Sequence, residues 1–304
     1  MLHNCGNISA RELVSAYDCH PTEPQQTMRT TTGVVTGLLM LCVAPVDAQW
    51  TQGTGKVWFK SALFVQQTTE RFDVLGNTQE WFANGESDAR AVFTDVIVGL
   101  HPKLDLWVQI PYFDLRFRDD VQELDKTGLG DVRAWLRWQP FTFHDGQTPV
   151  TVRFGAKAPI GESPIDAQII PLGEGQWDLE GFVEVGHSFW PAPAYAQVWL
   201  GYRARFANNE RLSDPGGEYV YLAEAGVQPF SALLLKATLD GFFGRAVIQD
   251  RVVTGTKRQI MILQFGTAVR VGPIWPEMAI RLPIRGREFP KGPQYTFGFS
   301  AQIR

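Results

Sequence analysis

The chain has 304 residues, of which 44% are hydrophobic, and its 28 basic and 32 acidic side chains give a formal charge of −4. This balance offers no basic surface to a nucleic-acid backbone, and the apolar content is too high for a disordered chain. No apolar run reaches the roughly 18 residues that a membrane-spanning helix needs, which excludes a helical membrane protein. The composition is compatible with a β-rich protein.

The first 48 residues have the pattern of a leader. A positive stretch at Met28 and Arg29 precedes an apolar run, and Val46 and Ala48 are small residues at the positions that signal peptidase reads. We therefore predict a leader and signal peptide over 1–48, with translation starting at Met28 and cleavage after Ala48. A buried N-terminal helix is the alternative. Residues 49–304 are predicted to form a single domain.

All three cysteines precede residue 49, so neither a disulfide nor a thiolate metal site is expected in the exported chain.

From Lys56 onward, apolar and polar residues alternate. Between residues 130 and 140, for example, Val132 and Leu136 alternate with Arg133 and Arg137. A period of two predicts strands with one apolar face, and the runs have the length of about 9–11 residues that a tilted strand needs to cross a bilayer. Around Pro111 the alternation changes phase, with Phe113 and Leu115 joining the apolar face, and we interpret this change as a bulge.

Twelve strands are predicted, over residues 55–68, 87–101, 104–118, 128–141, 149–161, 177–190, 194–206, 218–229, 232–245, 258–271, 274–286 and 294–303. Short connections alternate with longer polar ones, including 246–257, so the short turns and both termini share one end. Aromatic residues cluster near both ends. We predict an all-β fold, a closed antiparallel transmembrane β-barrel of about 12 strands surrounded by bacterial outer-membrane lipid. A soluble β-protein is the alternative, although a sandwich has no reason to sort its loops by length.

If the apolar positions face lipid, the polar positions face the lumen. The inward set has mixed charge: Lys60, Asp95, Arg133, Arg137, Arg153, Lys157, Asp178, Glu180, Glu184, Arg203, Arg205, Glu224, Lys236, Asp240, Arg270, Arg281 and Arg285. The acids of the sixth strand lie between the basic rows of the fifth and seventh strands, and opposite charges in a confined lumen should pair. Nine of these residues are the candidates for a lumen constriction: Arg133, Arg137, Arg153, Lys157, Asp178, Glu180, Glu184, Arg203 and Arg205. The same rows could simply brace the wall.

Two long loops are unusually apolar. The loop 69–86 contains Phe72, Trp81 and Phe82, and the loop 162–176 contains Ile169 and Ile170. These residues could form an apolar mouth for hydrophobic solutes, or a packed lid. Only 49–54 precede the first strand, so we expect no plug domain and assign any closure to loops or lumen side chains.

No catalytic or metal site is predicted. The three histidines after residue 48 are His101, His144 and His187, and all lie near short turns on different hairpins. No cofactor is implied.

Several stretches resemble a known family: GLGDVRAWLRWQ (128–139), VTVRFGAKAPIGES (150–163), PLGEGQWDLEGFVEVGHSF (171–189), YAQVWLGYRAR (195–205) and the closing PIRGREF and YTFGFSAQ. They are similar to the MetA-pathway of phenol degradation family of outer-membrane barrels, regarded as transporters. The resemblance implies passive uptake of small hydrophobic or aromatic molecules, and it provides no catalytic set.

Barrels of this kind are inserted by an assembly machinery that often reads a terminal aromatic residue, whereas this chain ends in Arg304. The alternatives to a channel are a non-conducting structural envelope barrel and, less favoured, a barrel enzyme.

Overall fold

The computed structural model describes residues 51–166, 168–208, 212–249 and 252–303, so the predicted leader and its cleavage site lie outside the described residues. Twelve long antiparallel strands dominate the fold. They are β1 (Val57–Thr68), β2 (Glu86–His101), β3 (Leu104–Arg118), β4 (Val132–Phe143), β5 (Thr148–Ala158), β6 (Asp178–Ser188), β7 (Ala194–Arg205), β8 (Glu218–Phe230), β9 (Leu233–Gln249), β10 (Val252–Val269), β11 (Ile274–Arg287) and β12 (Gln294–Ile303).

Each strand pairs with its neighbours in sequence, and β1 pairs with β12, which closes the sheet on itself. The predicted fold class, a closed 12-stranded antiparallel barrel, is confirmed. Closure leaves no strand edge exposed to lipid.

The outer wall is apolar and the interior is polar. Along β7, Leu200 is 61% exposed on the outside, whereas Arg203 is 5% exposed and faces inward. Within the part of the chain that the structure describes, no helix has the length and apolar character to cross a membrane.

The predicted bulge in β3 is wrong. β3 keeps its alternation through Pro111. The irregularity lies in the segment that pairs with β3, where Gly130 and Asp131 separate β4 from Glu123–Leu129. Phe113 and Leu115 therefore face inward. They are apolar because they pack inside the barrel, and alternation alone cannot distinguish that face from the lipid face.

Two further expectations are wrong. The predicted loop 246–257 is largely strand, because β9 and β10 remain paired as far as Gln249 and Val252. Arg285, predicted to face inward, is exposed, because the register between β10 and β11 shifts at Met261 and Ile262 and reverses the phase of β11.

Several short elements lie at the end of the barrel that carries the long loops. Three of them, Glu70–Phe72, Thr78–Glu80 and Phe289–Lys291, form a separate antiparallel sheet that we call the lid sheet. A 3-10 turn spans Phe82–Asn84, and Ser213–Asp214 extends the edge of β9.

Candidate functional site: the barrel lumen

The lid sheet inserts aromatic side chains between the strands. Phe72 and Phe289 are buried with Phe182 and Phe242, which face inward from β6 and β9. The rings of Phe242 and Phe289 are 5.5 Å apart. Phe82, by contrast, is 90% exposed. Of the predicted mouth residues on this loop, Phe72 packs as part of a lid and Phe82 does not contribute to it.

Trp81 holds the same loop against the rim. Its ring meets Phe117 edge-on at 5.5 Å, and the Arg71 guanidinium lies 4.6 Å from its centroid. These contacts place Trp81 beside the lumen opening.

The turn after β3 is fixed by its own carboxylate. The backbone N–H groups of Val121 and Gln122 donate to Asp119 at 2.8 Å each and lower the pKa of that carboxyl. The turn therefore keeps these bonds until the pH falls through the lowered pKa of Asp119.

The second apolar loop, between β5 and β6, folds into the barrel. Asp131 anchors it by accepting hydrogen bonds from the backbone N–H of Gly161 at 3.1 Å and of Glu174 at 2.9 Å. Leu172 is thereby buried among inward residues that include Phe93 and Phe113. Ile169 and Ile170 are half-buried above it.

A cavity of about 220 Å³ lies under this loop at the external end of the lumen. Its wall is mainly apolar and includes Phe93, Phe113, Leu115, Ile170 and Leu172. Its polar side includes Gln66, Gln109, Asp131, Arg133 and Lys157. The cavity thus combines an apolar wall with a polar floor.

Below the cavity, the lumen is crossed by ion pairs. The ammonium of Lys157 lies 3.2 Å from Asp131, 2.6 Å from Glu174 and 3.2 Å from Asp178. Glu174 also contacts Arg205 at 2.7 Å and Arg258 at 3.0 Å. The inward loop is therefore tied electrostatically to several strands.

Glu180 is the centre of the next layer. It contacts Arg133 and, at 2.6 Å, the Nε of Arg203, and it accepts a hydrogen bond from the Trp135 indole at 2.7 Å. Arg203 also reaches Glu218 at 2.7 Å. A second cavity, of about 30 Å³, lies in this layer.

Arg153 occupies an aromatic cage deeper in the barrel. Its guanidinium carbon lies 4.4 to 5.4 Å from the ring centroids of Trp107, Trp135, Phe182 and Trp199. Its Nε lies 2.8 Å from Glu184. Such contacts are favourable for a desolvated cation, and these side chains occupy the lumen at this level.

The chain before β1 folds against the inner wall at the short-turn end. Asp105 is fully buried between Arg137, at 2.7 Å, and the backbone N–H of Gln52, at 2.8 Å. Gly53 packs against Gly99, where a Cβ would meet the Gly53 carbonyl oxygen at 2.2 Å. Residues 51–53 therefore lie in the interior beside the lumen side chains.

All nine predicted constriction residues are buried in the lumen, and each is in an ion pair: Arg133, Arg137, Arg153, Lys157, Asp178, Glu180, Glu184, Arg203 and Arg205.

Sequence reasoning missed Glu277, which lies 2.7 Å from Lys60 and 3.5 Å from Lys236. Its position among the alternating polar residues of β11 could have identified it as a lumen residue.

Two of the histidines come together. His144 and His187 each lie within 3.0 Å of the Thr148 hydroxyl, and their rings are 6.1 Å apart at the short-turn end. His101 lies at the end of β2. Over the described ranges, no group of three or more His, Cys, Asp or Glu could hold a metal ion.

No protein-family model matches the chain, and no curated protein matches it. Solved structures do. The COG4313 outer membrane channel from Pseudomonas putida F1 is 12% identical, with a TM-score of 0.71 over 86% of this chain and 100% of that one. The translocator domain of the autotransporter NalP from Neisseria meningitidis is 12% identical, with a TM-score of 0.50 over 86% of this chain and 92% of that one.

At such low identity these structures establish the fold alone. Together with the closed sheet, the apolar outer wall and the polar interior, they show that the chain has the fold of an outer-membrane β-barrel. This fold is consistent with a location in the bacterial outer membrane.

Proposed function

We propose that this barrel is an outer-membrane channel for the passive uptake of small apolar or aromatic molecules, as its resemblance to the phenol-degradation barrels implies. The observation that carries the proposal is the external cavity of about 220 Å³ with its aromatic and aliphatic wall. Contact with lipid explains apolar residues on the outer wall of the barrel, but it does not explain an apolar surface inside the lumen.

The cavity has room for a single aromatic ring. In another protein, a cavity of about 150 Å³ lined by Leu, Ile and Phe stays dry and binds benzene. The cavity described here is larger, and the side chains of Gln66 and Gln109 add groups that could hydrogen-bond a hydroxyl substituent. A neutral, monocyclic solute with at most one or two polar groups fits this wall.

The ion pairs beneath the cavity, which we call the charged belt, are centred on Lys157, Glu180 and Arg153. The charged belt favours a neutral solute over an ion. Its carboxylates and cations are already paired, so an ion would have to compete with them in a poorly solvated space. We expect a solute to pass as paired side chains shift, with no standing water-filled pore.

The test fills the cavity. Ala89 is buried, faces inward and lines the cavity, so Ala89→Phe places a ring in the space that the solute would occupy. Ala134→Phe adds the same ring on the lipid-facing side of β4 and is the matched control. Uptake of radiolabelled phenol and toluene is measured in cells with an intact lipopolysaccharide leaflet, because simple phospholipid bilayers pass these solutes unaided.

The proposal expects faster uptake with the wild-type barrel than without it. Uptake should drop several-fold in Ala89→Phe and stay unchanged in Ala134→Phe. Equal uptake with and without the wild-type barrel would refute it.

A non-conducting structural barrel is the second candidate. The packing of four aromatic rings around Arg153 favours it, because this packing fills the lumen. This candidate predicts no difference in uptake between cells that contain the barrel and cells that lack it.

A further inference from the structure

We propose that the lumen holds a binding site for a small monovalent inorganic anion, of about the size of chloride, in the cavity between Arg133, Arg153 and Arg203. This cavity measures about 30 Å³ and is separate from the external one, although Arg133 lines both. The inference concerns a resident ion and does not rest on the proposed passage of apolar solutes.

The volume limits the occupant. A space of this size holds one particle as large as a water molecule or a halide ion. An aromatic ring or a sugar is too large for it. The choice therefore lies between water, a small cation and a small anion.

The wall excludes a cation. Three guanidinium groups line the cavity, and Glu180 is the one carboxylate among the described residues that line it. One oxygen of Glu180 accepts from Arg133 and Arg203, and the other accepts from the Trp135 indole. Both Glu180 oxygens are therefore engaged, and each guanidinium carries five N–H groups. Hydrogen-bond donors in the cavity wall thus outnumber acceptors.

Trp199 gives independent support. Its side chain lines the same cavity and is 3% exposed, and its indole N–H has no hydrogen-bond partner among the described residues. A buried donor without an acceptor is unfavourable, and the indole can only donate. The Trp199 ring is fixed against Arg153, with the guanidinium carbon 4.5 Å from its centroid.

The surrounding charge sets the affinity. Arg153 lies 2.8 Å from Glu184 and Arg203 lies 2.7 Å from Glu218, so carboxylates outside the cavity already balance these cations. With Glu180, these carboxylates match the three arginines one for one, so any bound anion adds uncompensated charge and a monovalent ion adds the least. We expect a monovalent ion to bind with a dissociation constant on the order of millimolar, because the pairing lowers its electrostatic gain.

The experiment uses bromide as an anomalous scatterer that replaces chloride. Crystals of the folded full barrel are grown over a series of sodium bromide concentrations. The proposal expects a saturable anomalous peak between the three guanidinium groups and within hydrogen-bonding distance of the Trp199 Nε1. A site occupied by water alone, with no anomalous signal at any concentration, overturns the proposal.

Two variants distinguish the loss of the Trp199 N–H from the loss of an indole elsewhere in the barrel. Trp199→Phe keeps an aromatic ring against Arg153 but removes the N–H, and should weaken bromide binding about tenfold, the effect of losing one hydrogen bond to a charged group. Trp138→Phe makes the same change on the lipid-facing wall and should leave the peak unchanged. Undiminished occupancy in Trp199→Phe contradicts the site as described. A bromide peak in a barrel that does not speed the uptake of phenol or toluene would refute the proposed function and leave this inference standing.

Discussion

At the scale of single residues, the interior is governed by the cost of buried charge. Glu180 illustrates this, because it lies 4% exposed between two arginines and an indole donor. A buried ion pair adds little net stability over an apolar pair, but removal of one partner is strongly unfavourable.

Glu180→Gln should therefore destabilise the barrel by about 3–5 kcal/mol, since Arg133 and Arg203 would lose the carboxylate between them. The measurement is urea unfolding of the refolded protein in lipid vesicles. Glu86→Gln removes a carboxylate that pairs with Arg118 at 2.9 Å on the exposed rim, and should have little measurable effect because water screens that pair. Equal stability of the two variants would contradict the assigned burial.

At the scale of elements, the loop between β5 and β6 is held in the lumen by Asp131 together with the ion pairs of Glu174. Asp131 bonds the N–H groups of Gly161 and Glu174 and lies 3.2 Å from Lys157. The bulge that separates β4 from Glu123–Leu129 turns this carboxylate inward.

Asp131→Ala should release that loop. The N–H groups of Leu172 and Gly173 donate to the Glu162 carbonyl, so their hydrogen exchange should accelerate about tenfold or more when the anchor is lost. Asp166→Ala removes an exposed carboxylate from the same loop, one that bonds only the Gln168 N–H among the bonds described, and should leave the exchange unchanged. Unchanged exchange in Asp131→Ala would show that the Glu174 ion pairs and Leu172 packing hold the loop without this anchor.

Much of the element-scale architecture could be predicted from the sequence, because alternation reports a two-sided sheet. The bounds of β3 and β12 match the prediction. Alternation failed where the interior is itself apolar, as at Phe113 and Leu115, and where the strands run beyond the membrane, as near Gln249. The lid contacts of Phe72 and the inward placement of 51–53 are tertiary features that no periodicity encodes.

At the scale of the whole molecule, the lumen has an external cavity, a charged belt beneath it and residues 51–53 inside its short-turn end. Around Arg153 in this belt, four aromatic rings surround one guanidinium.

Simultaneous Arg153→Ala and Glu184→Ala substitution should open this level. Because Arg153 and Glu184 pair with each other, their joint removal leaves neither charge without its partner. The space between the four aromatic rings then admits water. We expect an ion current to appear in planar bilayers. Lipid-facing Phe154→Ala, on the same strand, should produce no such current. A silent double variant with the gel mobility of a folded barrel would indicate that another level also seals the lumen.

The most direct test of the closed, charge-paired lumen is the current carried by the wild-type barrel in a planar bilayer. We predict no steady ohmic conductance, because paired charges and stacked aromatic rings fill the lumen and 51–53 occupy its short-turn end. A stable, porin-sized current through the unmodified protein would contradict this account and indicate an open aqueous pore.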